Sequence, residues 1–338
     1  MIDERDWESI HLASWLHDCG KITTPEYVVD KATKLETVYD RIHEVRTRFE
    51  VLRRDAELVY WRGIANGEDA ATLQQALDEE NRRLDEDFAF VADCNIGSEY
   101  MAPERLARLD AIAKRSWLRT FDDRIGLSQD ELSRKEATPA PMLPVEEDLL
   151  SDRPDHQIAR GEARTDQADN PWGFKLDVPR LLYNRGELYN LSIGRGTLTA
   201  EERFKINDHI VQTIVMLSEL PLPKHLKQVP EIAGGHHEKM DGSGYPKRLK
   251  RDEMSVVARI MAIADIFEAL TAVDRPYKKG KTISEALKIM SFMCKDQHID
   301  PDLFRLFLES GVYRRYAERY LLPWQLDDPD IASFLPDR

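Results

Sequence analysis

The chain has 338 residues, 42% hydrophobic and 33% charged, ample for a buried core in one large or two ordinary domains. Its net charge of -14 argues against a general binder of nucleic-acid polymers or anionic membranes, because the mean field repels a polyanion. Cys19, Cys94 and Cys294 lie far apart with no CxxC, which fits a reduced cytosolic protein, and no apolar run approaches the roughly 18 residues of a membrane span.

In chain order, "WESIHLASWLH" (7–17) predicts a mostly apolar helix that ends near Gly20, read as its C-terminal glycine. Long charged amphipathic helices are expected over 36–65, 68–92 and 103–120. The interval 122–195 is rich in proline and acids and predicts irregular structure, with a short hairpin near "YNRGELYNLSI". Helical order returns at 199, where Thr199 and Glu202 have the spacing of a capping box. "MSVVARIMAIADIFEALTAV" predicts a strongly apolar helix. "TISEALKIMSFM" predicts an amphipathic one with the cap pair Thr282 and Glu285, and "DPDLFRLFLESG" one that stops at Gly311.

Four places could carry chemistry. In "GGHHEKMDGSGYP" (234–246), His236 and His237 are adjacent, beside Glu238 and Asp241, ahead of a glycine-shaped turn. Paired imidazoles next to acids point to a metal. In "LHDCGK", His17 and Asp18 offer a nitrogen and carboxylate oxygens, and Lys21 shares their face. His209 sits at the polar edge of an amphipathic helix, where a half-buried structural histidine is the plain alternative. Asp265 lies in an apolar helix, where a bare carboxylate is costly unless a cation or an arginine such as Arg259 compensates it. Together these groups suffice for two octahedral divalent ions sharing a carboxylate. Mixed imidazole and carboxylate ligation suits manganese, iron or zinc, and two such ions suit hydrolysis of a phosphate ester.

"HDCGK" (17–21), "HHEKMDGSGYP" (236–246) and "AIADIFEALTAVDRPYK" (262–278), with "GTLTAEERFKINDH" before the second, resemble the HD-GYP family of the HD phosphohydrolase superfamily. The resemblance covers about residues 10–35 and 196–310. It implies an all-α HD-domain helical bundle with two or three divalent transition metals, iron or manganese favoured and zinc or nickel acquired on purification. It implies that His17, Asp18 and Asp265 hold one ion, and that Asp18 bridges to a second held by His209, His236 and His237. It gives Asp18 and Lys21 catalytic roles, and directs Lys21, Tyr245, Arg275 and Lys278 at a bound phosphate or base. Gly244, Tyr245 and Pro246 shape a loop at the mouth. Tyr245 meets either a guanine face or a partner protein, or else is a packing residue. His43, in "KLETVYDRIHEV", rivals His209.

The implied activity is hydrolysis of a cyclic dinucleotide, cyclic di-GMP first, to linear dinucleotide or GMP. The implied setting is the cytoplasmic output domain of a signalling protein, working beside partners such as diguanylate cyclases. Alternatives are a catalytically incomplete module that binds a ligand or protein as a receptor, and hydrolysis of 3',3'-cyclic GMP-AMP or another nucleotide. Sixteen residues precede His17, too few for the family's upstream ligand helix, so a shortened first metal site is expected. The expected division is residues 1–35 plus 196–325 as the catalytic domain, 36–195 as a large, mostly helical insertion with an irregular segment, and 326–338 as a tail. The long amphipathic helices are compatible with a homodimer.

Overall fold

The computed structural model describes residues 4–161, 170–273 and 280–336. The chain forms two compact units, one of Met1–Asp30, Thr165–Val178 and Phe204–Arg338, the other of Lys31–Arg164 and Pro179–Arg203. The fold is all-α in class, with two small two-stranded sheets.

The chain opens with α1 (Glu4–Leu16), a 3-10 turn at Cys19–Thr23 and the single-turn α2 (Glu26–Val29). The second unit follows, built on the antiparallel pair α3 (Ile42–Ala65) and α4 (Ala70–Asn95). Asp69 starts α4 by accepting the Thr72 N–H at 2.8 Å. The apolar stripes of the two helices meet through Val45, Phe49, Leu84 and Val91, all buried. Then come α5 (Pro103–Ala113), β1 (Ser116–Arg119), α6 (Gln129–Glu136), β2 (Val145–Asp148), β3 (Gln157–Ala159), β4 (Leu181–Asn184) and α7 (Glu187–Leu191). β1 pairs antiparallel with β2, and β3 with β4. The expected helix over 103–120 therefore ends at Ala113 and gives way to a strand. The hairpin expected near residue 183 is instead the end of β4 followed by a helix.

Buried polar bonds close the second unit on itself. Lys31, 3% exposed, donates to both carboxylate oxygens of Glu202 at 2.9 and 2.8 Å. Glu202 also accepts the Thr199 N–H, and Thr199 Oγ accepts the Glu202 N–H, so the capping box forms at the start of α8 (Ala200–Asn207). Lys34, fully buried, donates to the Leu191 and Ile193 carbonyls at 3.0 and 2.9 Å, satisfying carbonyls at the end of α7.

The first unit continues with α9 (His209–Ser218), α10 (Val229–Gly234), α11 (Val256–Thr271), α12 (Ile283–Lys295), α13 (Pro301–Glu309) and α14 (Val312–Tyr320). Ser255 caps α11, and Thr282 with Glu285 forms the expected capping box on α12. Gly311 takes the left-handed conformation (φ 66°) where α13 stops. Two apolar clusters fill this unit. One joins α11 to α14 around Phe267, Met290, Phe304 and Tyr313, with Ile331 and Phe334 of the C-terminal segment packed on it. The other joins Ala13 of α1, Leu217 of α9, Val229 and Ile232 of α10, and Met261 of α11.

Candidate metal centre

The second cluster sets the position of the site. Ala13 precedes His17 by one helical turn, Ala233 lies three residues before His236, and Met261 lies one turn before Asp265. Burying that layer aims the next turn of each element at a common point. His209 arrives there as the first residue of α9, and Asp18 from the bend after α1.

Gly20 allows this convergence. A Cβ there would lie 2.0 Å from the His209 carbonyl oxygen and 2.6 Å from the Thr213 nitrogen, so only glycine fits. Its N–H donates to Thr213 Oγ1 at 2.9 Å, tying the His17–Asp18 turn to α9. Gly20 is therefore a close-approach glycine, not the helix C-cap that its place in the sequence predicted. α1 already ends at Leu16, and Gly20 is in an ordinary right-handed turn.

Three imidazoles are fixed in the same way. The Nδ1–H of His17 donates to the Ser14 carbonyl at 2.7 Å, that of His209 to Ile206 at 2.5 Å, and that of His236 to Ala233 at 2.8 Å. A carbonyl only accepts, so each bond places the proton on Nδ1 and turns Nε2 toward the centre. Those atoms gather on Asp18. His209 Nε2 lies 3.2 Å and His236 Nε2 4.0 Å from Oδ1, and His17 Nε2 lies 3.3 Å from Oδ2. Asp265 Oδ1 is 3.7 Å from His17 Nε2. His236 and His237 have ring centroids 4.1 Å apart, and His209 and His237 5.2 Å.

Two overlapping ligand sets result, His209 with His236 and His237, and His17 with Asp18 and His236. Asp18 Oδ1, His209 Nε2 and His236 Nε2 are buried without a hydrogen-bond partner among the described residues. Orphaned polar atoms are costly in a protein interior, and a divalent cation bound by these nitrogens and this carboxylate would satisfy all three. The donor set thus fits a transition metal.

The electrostatics agree. Burial pushes the His236 and His237 imidazoles down, so both are neutral and ready to donate electron pairs. The hydrogen bond to Asp18, and then that to Asp265, raises His17 to about 10. Burial pushes Asp18 up, but His17, His209 and Lys21 outweigh it and hold the carboxyl well below its usual range. Burial likewise opposes the ionisation of Asp265, and His17 together with the neighbouring imidazoles reverses the balance. Lys21 Nζ sits 2.5 Å from Asp18 Oδ2. Arg259, the structural alternative for neutralising Asp265, is engaged with the buried Asp300 instead.

The Gly-Tyr-Pro loop closes one side. A Cβ on Gly244 would lie 2.4 Å from the Lys239 nitrogen, and Gly242 has φ +81°. The Tyr245 ring stacks on His237 at 4.8 Å and 18°, so it packs against a candidate ligand, and burial pushes its hydroxyl up. Tyr245 is joined to Pro246 by a cis peptide bond. Glu238, 1% exposed, accepts the Lys247 N–H at 2.7 Å and the Leu249 N–H at 2.9 Å. It anchors the loop and is absent from both ligand sets. Asp241 is exposed and accepts the Ser243 N–H at 2.8 Å.

The structure thus brings together His17, Asp18, Lys21, His209, His236, His237, Tyr245 and Asp265. His43 lies in the other unit, exposed and bonded to Arg46 at 2.7 Å, and is in neither ligand set. Arg275 and Lys278 lie outside the described residues. Sequence reasoning missed Thr213 and the loop-anchoring role of Glu238. Thr213 could have been flagged as a polar residue one turn after His209 on an apolar helix, and Glu238 as an acid flanking a glycine turn.

The family model for the HD domain matches residues 141–303, a range that holds His209, His236, His237 and Asp265. The chain is 38% identical to a 3'3'-cGAMP-specific phosphodiesterase of Vibrio cholerae over 44% of this chain and 31% of that protein. It is 36% identical to a cyclic di-GMP phosphodiesterase of Thermotoga maritima over 36% of this chain and 33% of that protein. It is 41% identical to a cyclic di-GMP phosphodiesterase of Pseudomonas aeruginosa over 25% of this chain and 20% of that protein. The chain therefore spans a third or less of the length of these curated relatives. The ordered motifs, the ligand cluster and these matches agree, and together they support an HD-GYP-type member of the HD-domain proteins.

Proposed function

We propose that this protein is a metal-dependent phosphodiesterase that opens the ring of a cyclic dinucleotide, cyclic di-GMP first, to the linear dinucleotide. The observation that carries this reading is the convergence of three carbonyl-anchored imidazoles on Asp18, where Asp18 Oδ1 and the Nε2 atoms of His209 and His236 are buried with no hydrogen-bond partner among the described residues. In the proposed arrangement His17, Asp18 and Asp265 would hold one ion, and Asp18, His209, His236 and His237 would hold a second. Bound there, two iron or manganese ions would supply Lewis acidity and neutralise charge on the phosphoryl oxygens.

The chain's own residues do the rest. The backbone carbonyls fix the imidazoles, so no rotamer entropy is lost on ligation. Lys21 is near enough to move from Asp18 to a phosphate oxygen and stabilise charge that builds in the transition state. Tyr245 keeps His237 in place. Residues 1–35 with 196–325 form the catalytic domain in this proposal, and 36–195 an insertion whose two ends the buried Lys31–Glu202 pair holds together. Arg275 and Lys278 are proposed to add positive charge toward the phosphates.

A second reading, 3',3'-cyclic GMP-AMP as substrate, is favoured by relatives named as specific for it. The test is incubation of the metal-loaded protein with each ring and separation of products by chromatography. Linear dinucleotide from cyclic di-GMP supports the first reading, and product from the mixed ring alone the second. Rings that bind and return unchanged would overturn both in favour of a receptor.

A further inference from the structure

The first unit contains a cavity of about 590 Å³ away from the metal ligands. None of the ligand side chains lines it, but Gly234, Gly235 and Glu238 do, so its wall is the reverse side of the backbone that carries His236 and His237. Trp172, Ile214, Leu217, Leu222, Pro230 and Leu249 give it apolar walls. Trp172 belongs to a strap at 170–178 that crosses the Gly-Tyr-Pro loop. The Lys175 N–H donates to the Pro246 carbonyl at 2.7 Å, Arg248 pairs with Asp177 at 2.8 Å, and Phe174 stacks on Trp172 with centroids 5.9 Å apart.

Two acids and two lysines complete the lining. The acids are engaged: Glu238 with the Lys247 and Leu249 N–H groups, Glu231 with the Ser255 N–H at 3.3 Å. The lysines, Lys227 and Lys247, make no ion pair within 4.0 Å among the described residues. Lys247 lies 6.0 Å from the centroid of the Phe174 ring and feels the Glu238 carboxylate across the cavity. The volume is in the range of small-molecule sites, roughly 300–1,000 Å³, and the combination of apolar walls with two ammonium groups that make no close ion pair among the described residues selects one kind of ligand.

We propose that this cavity is a second binding site, for a small amphipathic anion with an aromatic or aliphatic body and one carboxylate, sulfonate or phosphate group. The body would lie against Trp172 and the leucines, and the anionic group would bridge Lys227 and Lys247. The proposal does not depend on the phosphodiesterase reading, and its test needs no turnover.

The probe is 1-anilinonaphthalene-8-sulfonate, titrated into the full chain at low salt and followed by its fluorescence. One saturable site is expected. Lys227→Gln combined with Lys247→Gln should weaken it by about tenfold or more and remove most of its salt dependence. Ser218→Trp, at an exposed lining position, should block it while leaving the circular dichroism unchanged. Trp172→Phe should lower tryptophan-to-dye energy transfer and leave affinity within about twofold, because an aromatic wall remains. Unchanged affinity in both the lysine and the Ser218 variants would overturn the proposal, because the dye would then sit elsewhere, as would the absence of any saturable binding.

Discussion

The metal centre and the α3–α4 pair treat charge in opposite ways. Along α3 and α4, charged groups find partners nearby: Arg53 with Asp85, Arg54 with Glu50 and Arg82 with both Glu79 and Glu86, at solvent-exposed positions. At the centre, Asp18 Oδ1 and the Nε2 atoms of His209 and His236 are buried and lack a hydrogen-bond partner among the described residues. A helix surface satisfies its charges internally because water tolerates small errors. A buried cluster of imidazoles and a carboxylate is suited to a bound cation. The difference separates residues that hold the fold from residues that wait for a ligand.

Substitutions at four places test that contrast, from the largest effect to the smallest. His236→Ala with Asp265→Ala should cut metal affinity by more than the roughly 10–100-fold typical of outer-sphere changes, and abolish ring opening. Elemental analysis and product chromatography read both, and turnover in that variant would place the site elsewhere. Glu202→Ala should cost about 3–5 kcal/mol, because it leaves the Lys31 ammonium buried without its counter-charge. Glu202→Ala with Lys31→Met should recover part of that loss in a denaturant titration. Gly20→Ala should cost about 1–3 kcal/mol and lower metal affinity as well, since the new methyl group must push the His209 backbone away. Arg53→Ala, at an exposed pair, should cost less than about 1 kcal/mol and leave metal content unchanged.

A pH test sharpens the same contrast within the second unit. Burial, and then Arg153, pushes His156 down to about 4. The folded state therefore resists a proton that the unfolded chain takes up near 6.5, so stability should fall as pH drops from 6.5 toward 4. His156→Gln should flatten the slope between pH 6.5 and 5 in a series of thermal melts. An identical slope in the variant would assign the loss to other groups.

Much of the centre was legible in the sequence because its chemistry is local. His17–Asp18, His236–His237 and the Gly-Tyr-Pro turn are adjacent or nearly adjacent residues, and Asp265 stands out against an apolar helix. The capping boxes at Thr199 and Thr282 follow from short-range rules in the same way. What escaped notice depends on distant partners. Gly20 owes its identity to the backbone of α9, and Glu238 to amides nine and eleven residues further on. The irregular-looking 122–195 segment hides β2, β3 and β4 because strands of three or four residues give too few alternations to show a period. The strap at 170–178 has no periodicity at all. Its role appears only when Lys175 and Asp177 are seen against Pro246 and Arg248.

The central claim is that the clustered imidazoles and Asp18 are a metal centre. Elemental analysis of protein purified without added metal or chelator tests it most directly. The account predicts two or more equivalents of iron or manganese per chain, lost in His236→Ala. Less than one equivalent, with no uptake when manganese or iron is added, would contradict it.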